Sequence, residues 1–174
     1  EPLYVAADVG SEAGAHQALA AAREAFGRIH GIVHAAGTLR DSYLRRKTVA
    51  EMNDVFAPKV FGSVHLDAAT RDDDLDFFVL FSSLAAIGGN AGQCDYAYAN
   101  HYMDAFAEQR ERLRSQGLRR GRTLSINWSL WAEGGMRLDE QTELFFRRTL
   151  GILPLQTQVG LAALSSGLRT TEPQ

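Results

Sequence analysis

Phe78-Val79-Leu80-Phe81-Ser82-Ser83, then Leu84 to Gly92, then Gln93-Cys94-Asp95-Tyr96-Ala97-Tyr98-Ala99-Asn100 is the stretch on which the reading turns. A short apolar run stops at two serines, as a buried strand does when it reaches a sheet edge. Gly88-Gly89-Asn90-Ala91-Gly92 then loosens the backbone, and from Tyr96 an Ala-rich pattern of helical period runs to Arg114. Strand, loop and helix in that order bring hydroxyls to the place where strand end and helix start converge. Asn100 lies one helical turn beyond Tyr96, so the two share a helix face.

Outward from this unit, strand and helix patterns alternate. Glu1 to Val9 reads as a buried strand ending at Asp8, and Ser11-Glu12-Ala13-Gly14 as a capped helix start leading into Ala15 to Phe26. Ile29 to Ala36 is a second short apolar strand stopped by Gly37. Thr48 opens a helix through Glu51, Val55, Val60 and Leu66, bent at Pro58. Gly121 to Trp128 is a further strand, and helical patterns at Asp139 to Leu150 and Thr157 to Leu168 follow it. Such alternation predicts an α/β fold with a parallel sheet covered on both faces.

Composition bounds what such a chain can do. With 174 residues, 45% apolar and 22% charged, it has material for about one globular domain with a real core. No apolar run approaches the roughly 20 residues of a membrane span and no leader pattern opens the chain, which predicts a cytoplasmic protein without a membrane partner. A net charge of −3 argues against nucleic acid as partner. Arg110, Arg112, Arg114, Arg119, Arg120 and Arg122 nevertheless cluster near a helix end, either as a solvated face or as a dock for an acidic carrier protein. Cys94 is the single cysteine: it can make neither an internal disulfide nor, alone, a metal site, and it is expected to be a small buried hydrophobe. No metal is expected.

The Ser83, Tyr96 and Asn100 stretch resembles the active site of short-chain dehydrogenase/reductases, and within them the ketoreductase domains of modular polyketide synthases. Ordinary members carry Tyr-x-x-x-Lys; here Asn100 stands at that fourth position, and Lys59 in Ala57-Pro58-Lys59-Val60 sits where the polyketide ketoreductases place the displaced lysine. Lys47 and Lys59 are the only lysines in an Arg-rich chain, which suits a need for a compact, tunable ammonium. The resemblance implies a doubly wound, Rossmann-like parallel sheet with helices on both faces, and residues 1–174 as the C-terminal part of one catalytic domain with a lid at 131–150. It also implies that the first βαβ unit, with its Gly-rich phosphate turn, lies outside this chain, because Gly88 to Gly92 has neither the spacing nor the position of such a turn.

The implied chemistry is carbonyl reduction. Tyr96 would protonate the ketone oxygen, Ser83 would position that oxygen, Lys59 would stabilise the phenolate, and Asn100 would complete the relay. Asp8 and Val9 resemble the pair that contacts the adenine ring, although Asp at a strand end is also ordinary turn chemistry. His34-Ala35-Ala36-Gly37 resembles the small-residue strand end that lies against the adenosine half, and a tight turn needs small residues as well. Asn127 is expected near the cofactor, for which the family implies NADPH, though residues able to tell it from NADH would lie upstream.

Asp41, Gln93, Trp131 and Met136 are expected around the substrate, with Gly134-Gly135 giving the lid hinge-like freedom. Met136, Leu144, Phe145 and Phe146 would form its apolar surface. Leu39-Arg40-Asp41 resembles the Leu-x-Asp element of B-type ketoreductases, which give the D-configured β-hydroxyl, and Arg40 resembles synthases served by free-standing acyltransferases. The implied substrate is a β-ketoacyl chain on the phosphopantetheine of an acyl carrier protein, within a polyketide synthase. A free-standing 3-oxoacyl-carrier-protein reductase, disfavoured by Asn100, and a non-catalytic scaffold remain as alternatives.

Overall fold

The computed structural model describes residues 1–135, 144 and 146–174. Two compact units divide it: residues 1–127 with 172–174, and residues 128–171.

Three parallel strands, β1 (Gly31–His34), β2 (Phe77–Ser83) and β3 (Arg122–Trp128), lie in the order β1, β2, β3, all within the first unit except Trp128 at the end of β3. β1 and β2 are in register from Gly31 opposite Phe77 to His34 opposite Leu80. Phe78, Val79 and Leu80 are all fully buried. Successive strand side chains point to opposite faces, so this central strand is covered on both, as its continuous apolar run predicts.

Helices α1 (Glu12–Phe26), α2 (Val49–Phe56), α3 (Gly62–Ala69), the single turn α4 (Ala85–Gly88) and α5 (Cys94–Ser115) complete the unit. Ser11 caps α1 by accepting from the Gly14 N–H, and Thr48 and Glu51 form a reciprocal capping box at α2. Ala15 and Leu19 of α1, Leu66 of α3 and Met103 and Ala107 of α5 close on Phe78 and Leu80 as one apolar cluster. Between α2 and α3 the bend at Pro58 takes the form of a π-helical segment, Ala57–Phe61, in which the Gly62 N–H bonds the Ala57 carbonyl. Proline supplies no N–H for the α ladder, and the wider turn absorbs the defect.

The arginine cluster at the end of α5 is divided: Arg110 and Arg119 turn inward, while Arg112, Arg114 and Arg120 stay on a solvated face, each paired with a carboxylate. Arg110 is buried, lies 4.6 Å over the Phe78 ring, and donates to Asp67 Oδ1, Thr123 Oγ1 and the carbonyls of Arg120 and Gly121. Arg119 shares Asp67, while Arg112, Arg114 and Arg120 pair with Glu108, Glu111 and Asp74. Asp67 attracts this group because two guanidinium forks satisfy a carboxylate that would otherwise be buried unpaired.

Three expectations need correction here. Residues 1–8 form no strand, and Leu3 and Tyr4 are exposed; an extended segment is a strand only beside a hydrogen-bonding neighbour, and β1 and β2 pair with each other instead. The strand expected at Ile29 to Ala36 is confined to Gly31–His34. Cys94 is exposed, being the first residue of α5 on its outward side.

In the second unit, α6 (Thr157–Gly167) packs on Trp131, whose ring leaves no space for a side chain at Gly160. Leu155 N–H bonds the Leu130 carbonyl, Ala132 N–H bonds the Leu155 carbonyl, and the Trp128 and Trp131 rings meet edge to face with centroids 4.9 Å apart. A π turn, Phe146–Leu150, precedes α6; the rest of the helix expected at Asp139 to Leu150 lies outside the described residues, Leu144 apart.

Candidate active site

Parallel strands aim their carboxyl ends the same way, and β1 and β2 end at His34 and Ser83. α5 starts beside that edge, and its first turns bring Tyr96 and Asn100 to Ser83. The Tyr96 phenol is half-buried; burial raises it above the ordinary value near 10, and hydrogen bonds with the Ser83 and Asn100 side chains pull it partly back. Asn100 is fully buried, its Nδ2 donating to the Tyr96 carbonyl at 2.7 Å. Its Oδ1 is buried with no partner, an acceptor left open inside the site.

Lys59 enters from the π-helical segment. Its ammonium donates to the Phe81 carbonyl at 2.8 Å, lies 3.7 Å from Met103 Sδ and stands 5.6 Å from the centroid of the Tyr96 ring. Burial lowers its pKa to about 8, against a smaller opposing pull from Asp104. The sequence leads to an ammonium that lowers the phenol; here the ammonium faces the ring and the strand carbonyl, and the phenol lies high.

Behind these groups is a polar lattice that sequence reasoning did not resolve. Ser82 Oγ donates to the Asn100 carbonyl at 3.1 Å, and Asn127 Nδ2 donates to Ser82 Oγ, to the Ser83 carbonyl and to Asp104 Oδ2. Ser125 holds the other oxygen of Asp104 at 2.6 Å. Residues 172–174 return along β3, where Pro173 accepts from the Ser125 N–H and Gln174 donates to Asn127 Oδ1. Asn127 is therefore bonded at both ends of its amide, inward through Nδ2 and at the surface through Oδ1.

The residues expected to hold the cofactor fall into two sets. Asp8 accepts from the Gly10 and Ser11 backbone in a turn, and Val9 packs near Gly62. The His34 ring is turned inward: its Nε2 donates to the Pro58 carbonyl at 2.9 Å, and burial beside Lys59 lowers its pKa to about 4, so the ring is neutral. Gly62 makes room for it, since a Cβ there would stand 3.1 Å from the imidazole. Ala35 and Gly37, by contrast, are exposed at the carboxyl end of β1, a rim of small residues that a flat ring or a sugar can approach closely. The exposed rim fits a dinucleotide laid across this edge; the amide of Asn127, committed to Ser82, Asp104 and Gln174, and the inward ring of His34 do not reach for one.

Asp41 and Gln93 are brought together, Gln93 Nε2 donating to Asp41 Oδ2 at 2.8 Å, and the Asp41 charge acts on the Tyr96 phenol. Asp41, Ser42, Tyr43, Arg46, Ala91 and Gly92 line a cleft of about 360 Å³. Trp131 belongs to the second unit, where its ring is packed on α6. Met136 and Phe145 lie outside the described residues. Lys47 and Asp95 are two charged residues the sequence reading left without a role: they form a buried ion pair of 2.8 Å directly before Tyr96. The only signals for them are that Lys47 is one of two lysines and that Asp95 adjoins the tyrosine.

Among the described residues no helix is long and apolar enough to cross a membrane, and no cluster of candidate metal ligands occurs. The sequence profile described as the KR domain matches residues 3–133. Polyketide synthase PksN of Bacillus subtilis is 43% identical over 171 residues, covering 98% of this chain and 3% of that synthase. A crystal structure of a ketoreductase domain from the bacillaene assembly line superposes with a TM-score of 0.94 at 42% identity, over 99% of this chain and 41% of that one. An N-terminal ketoreductase from the macrolactin assembly line gives 0.86 at 41% identity, over 100% of this chain and 33% of that one. This chain thus spans a small part of the synthase and less than half of either solved chain. The chain belongs to the KR domain family, the ketoreductase domains of polyketide synthases.

Proposed function

We propose that this chain carries the catalytic part of an NADPH-dependent ketoreductase that converts a carrier-bound β-ketoacyl thioester to the D-β-hydroxyacyl thioester. The observation that carries this reading is the meeting of Ser83, Tyr96, Asn100 and Lys59 at the β2 and α5 junction. Asp8, Val9 and the Ala35-Ala36-Gly37 rim would hold NADPH, which would supply the hydride that the ketone carbon gains. Tyr96 gives its phenolic proton to the ketone oxygen, so the carbonyl gains one hydride and one proton and becomes a secondary alcohol. Ser83 donates to that oxygen and fixes it within reach of the phenol.

A phenol whose pKa lies above its ordinary value is fully protonated at neutral pH, as an acid about to be used must be. Lys59, over the ring face, stabilises negative charge as it develops, and the open Oδ1 of Asn100 accepts a proton carrier on the way to refilling the phenol. Asp41, tied to Gln93 beside the cleft, marks the side from which the pantetheine arm enters, which supports the D configuration. An acyl carrier protein and other synthase domains are the partners of this reading.

The test follows NADPH consumption and product configuration with a β-ketoacyl thioester. The chain is compared with the same chain extended by its native flanking sequence to the length of the solved ketoreductases. Turnover by the extended protein that collapses in Tyr96→Phe supports the proposal. An extended protein that neither binds NADPH nor turns over sinks it in favour of a non-catalytic role.

A further inference from the structure

The charged pair Lys47 and Asp95 is the most buried ion pair among the described residues, with both side chains withdrawn from solvent. It joins two segments 48 positions apart in sequence. Lys47 Nζ also donates to the Arg40 carbonyl at 2.5 Å, one residue before Asp41. Asp95 Oδ1 accepts from the Tyr96 N–H at 2.9 Å. One lysine thus grips the backbone beside Asp41 and, through one carboxylate, the backbone of Tyr96.

The start of α5 needs such a hold. Its N-cap residue, Gln93, makes no side-chain cap bond, because its amide is committed to Asp41 and Asn90. The Ser42 N–H to Gly92 carbonyl bond, 3.0 Å, adds a second tie between the same two segments. Of these ties only the Lys47 and Asp95 pair is charged and wholly out of water, where an ionic bond tolerates the least change in length or direction. The half-buried phenol stands one residue beyond this anchor.

We propose that Lys47 and Asp95 are positioning residues, which hold the Tyr96 phenol in register with the Asp41 and Gln93 wall and thereby set both the rate and the handedness of reduction. The inference rests on the ketoreductase reading for what the phenol does, but its geometric half can be read without turnover.

The experiment uses K47M/D95L, in which two apolar side chains replace the pair, a change that buried ion pairs often tolerate. D95N, which keeps an acceptor for the Tyr96 N–H, is the milder companion. The extended protein is labelled with fluorotyrosine and the Tyr96 resonance assigned with Y96F. In folded K47M/D95L that resonance should move and broaden while those of Tyr4 and Tyr102 stay, kcat should fall at least about tenfold with KM little changed, and the minor enantiomer should grow. D95N should show a smaller loss of the same kind. If K47M/D95L fails to fold, D95N is judged by the same readouts. An unmoved Tyr96 resonance, or wild-type kcat and enantiomer ratio in a folded variant, overturns the proposal. A wild-type protein that reduces no thioester refutes the ketoreductase reading instead, and the fluorine spectra still decide the positioning.

Discussion

Lys59 donates to the carbonyl of Phe81 at 2.8 Å, while its ammonium stands 5.6 Å from the centre of the Tyr96 ring. The lysine is therefore bonded to the strand that ends in the two serines and merely faces the tyrosine. Removing the phenol oxygen alone leaves that arrangement intact. Tyr96→Phe should keep the fold and its thermal midpoint within a few degrees, yet lower kcat by about 10²-fold or more, the usual scale of a lost general acid. Steady-state kinetics beside a thermal melt checks this.

Burial holds Lys59 at about 8, below the 10.5 of an exposed lysine. Between those values the unfolded chain binds a proton that the folded chain does not, so stability attributable to this residue rises with pH across the window. Below 8 the cost of the buried charge is fully present. Lys59→Met should therefore be more stable than wild type at pH 7, by on the order of 1 kcal/mol once the lost bond to Phe81 is set against it, and inactive. The advantage should shrink towards pH 10, as denaturant unfolding at the two pH values will show.

His34 runs the same way at lower pH. With its folded value at about 4 against 6.5, its neutral form favours the folded state above pH 6.5, and that contribution is lost as pH falls through 4. Wild type should lose up to roughly 3 kcal/mol over this range from His34 alone. His34→Gln, which can still donate to Pro58, should lose correspondingly less between pH 7 and pH 4.5 in urea titrations.

Arg110 and Arg112 sit two positions apart on α5 but in opposite surroundings. Arg110→Ala strips bonds from two carbonyls, Thr123 and Asp67 in the interior and should cost about 3 kcal/mol or more. Arg112→Ala breaks only an exposed pair with Glu108 and should stay within about 0.5 kcal/mol. A Arg110→Ala protein as stable as wild type would show that the buried guanidinium is dispensable.

β2 and α5 were legible because each shows a single period over a long window, an apolar run of strand length and an Ala-rich helix; the element ends place Ser83, Tyr96 and Asn100 near one another, and the resemblance to ketoreductases is what singled them out. The segment up to Asp8 misled because a strand is a relation between two segments, and alternation within one cannot reveal whether a neighbour is there. The arginines near the end of α5 misled for a related reason: a cluster in sequence says nothing of which guanidinium turns inward, and Asp67, the residue that decides it, is 43 positions from Arg110. Lys47 and Asp95, 48 positions apart, were hidden in the same way. The inward turn of His34 depends on the space left by Gly62, which no local pattern encodes.

The π-helical segment Ala57–Phe61 closes on Gly62 through a turn one residue longer than an α turn. Deleting a single residue there, such as Val60, would restore an ordinary helix and swing Lys59 by about 100° around the axis relative to α3. No exchange of one side chain for another produces that rotation. The placement of the lysine is thus written in chain length as much as in residue identity, and a scan confined to substitutions would pass over it: the loss or gain of one codon is the mutation that exposes it.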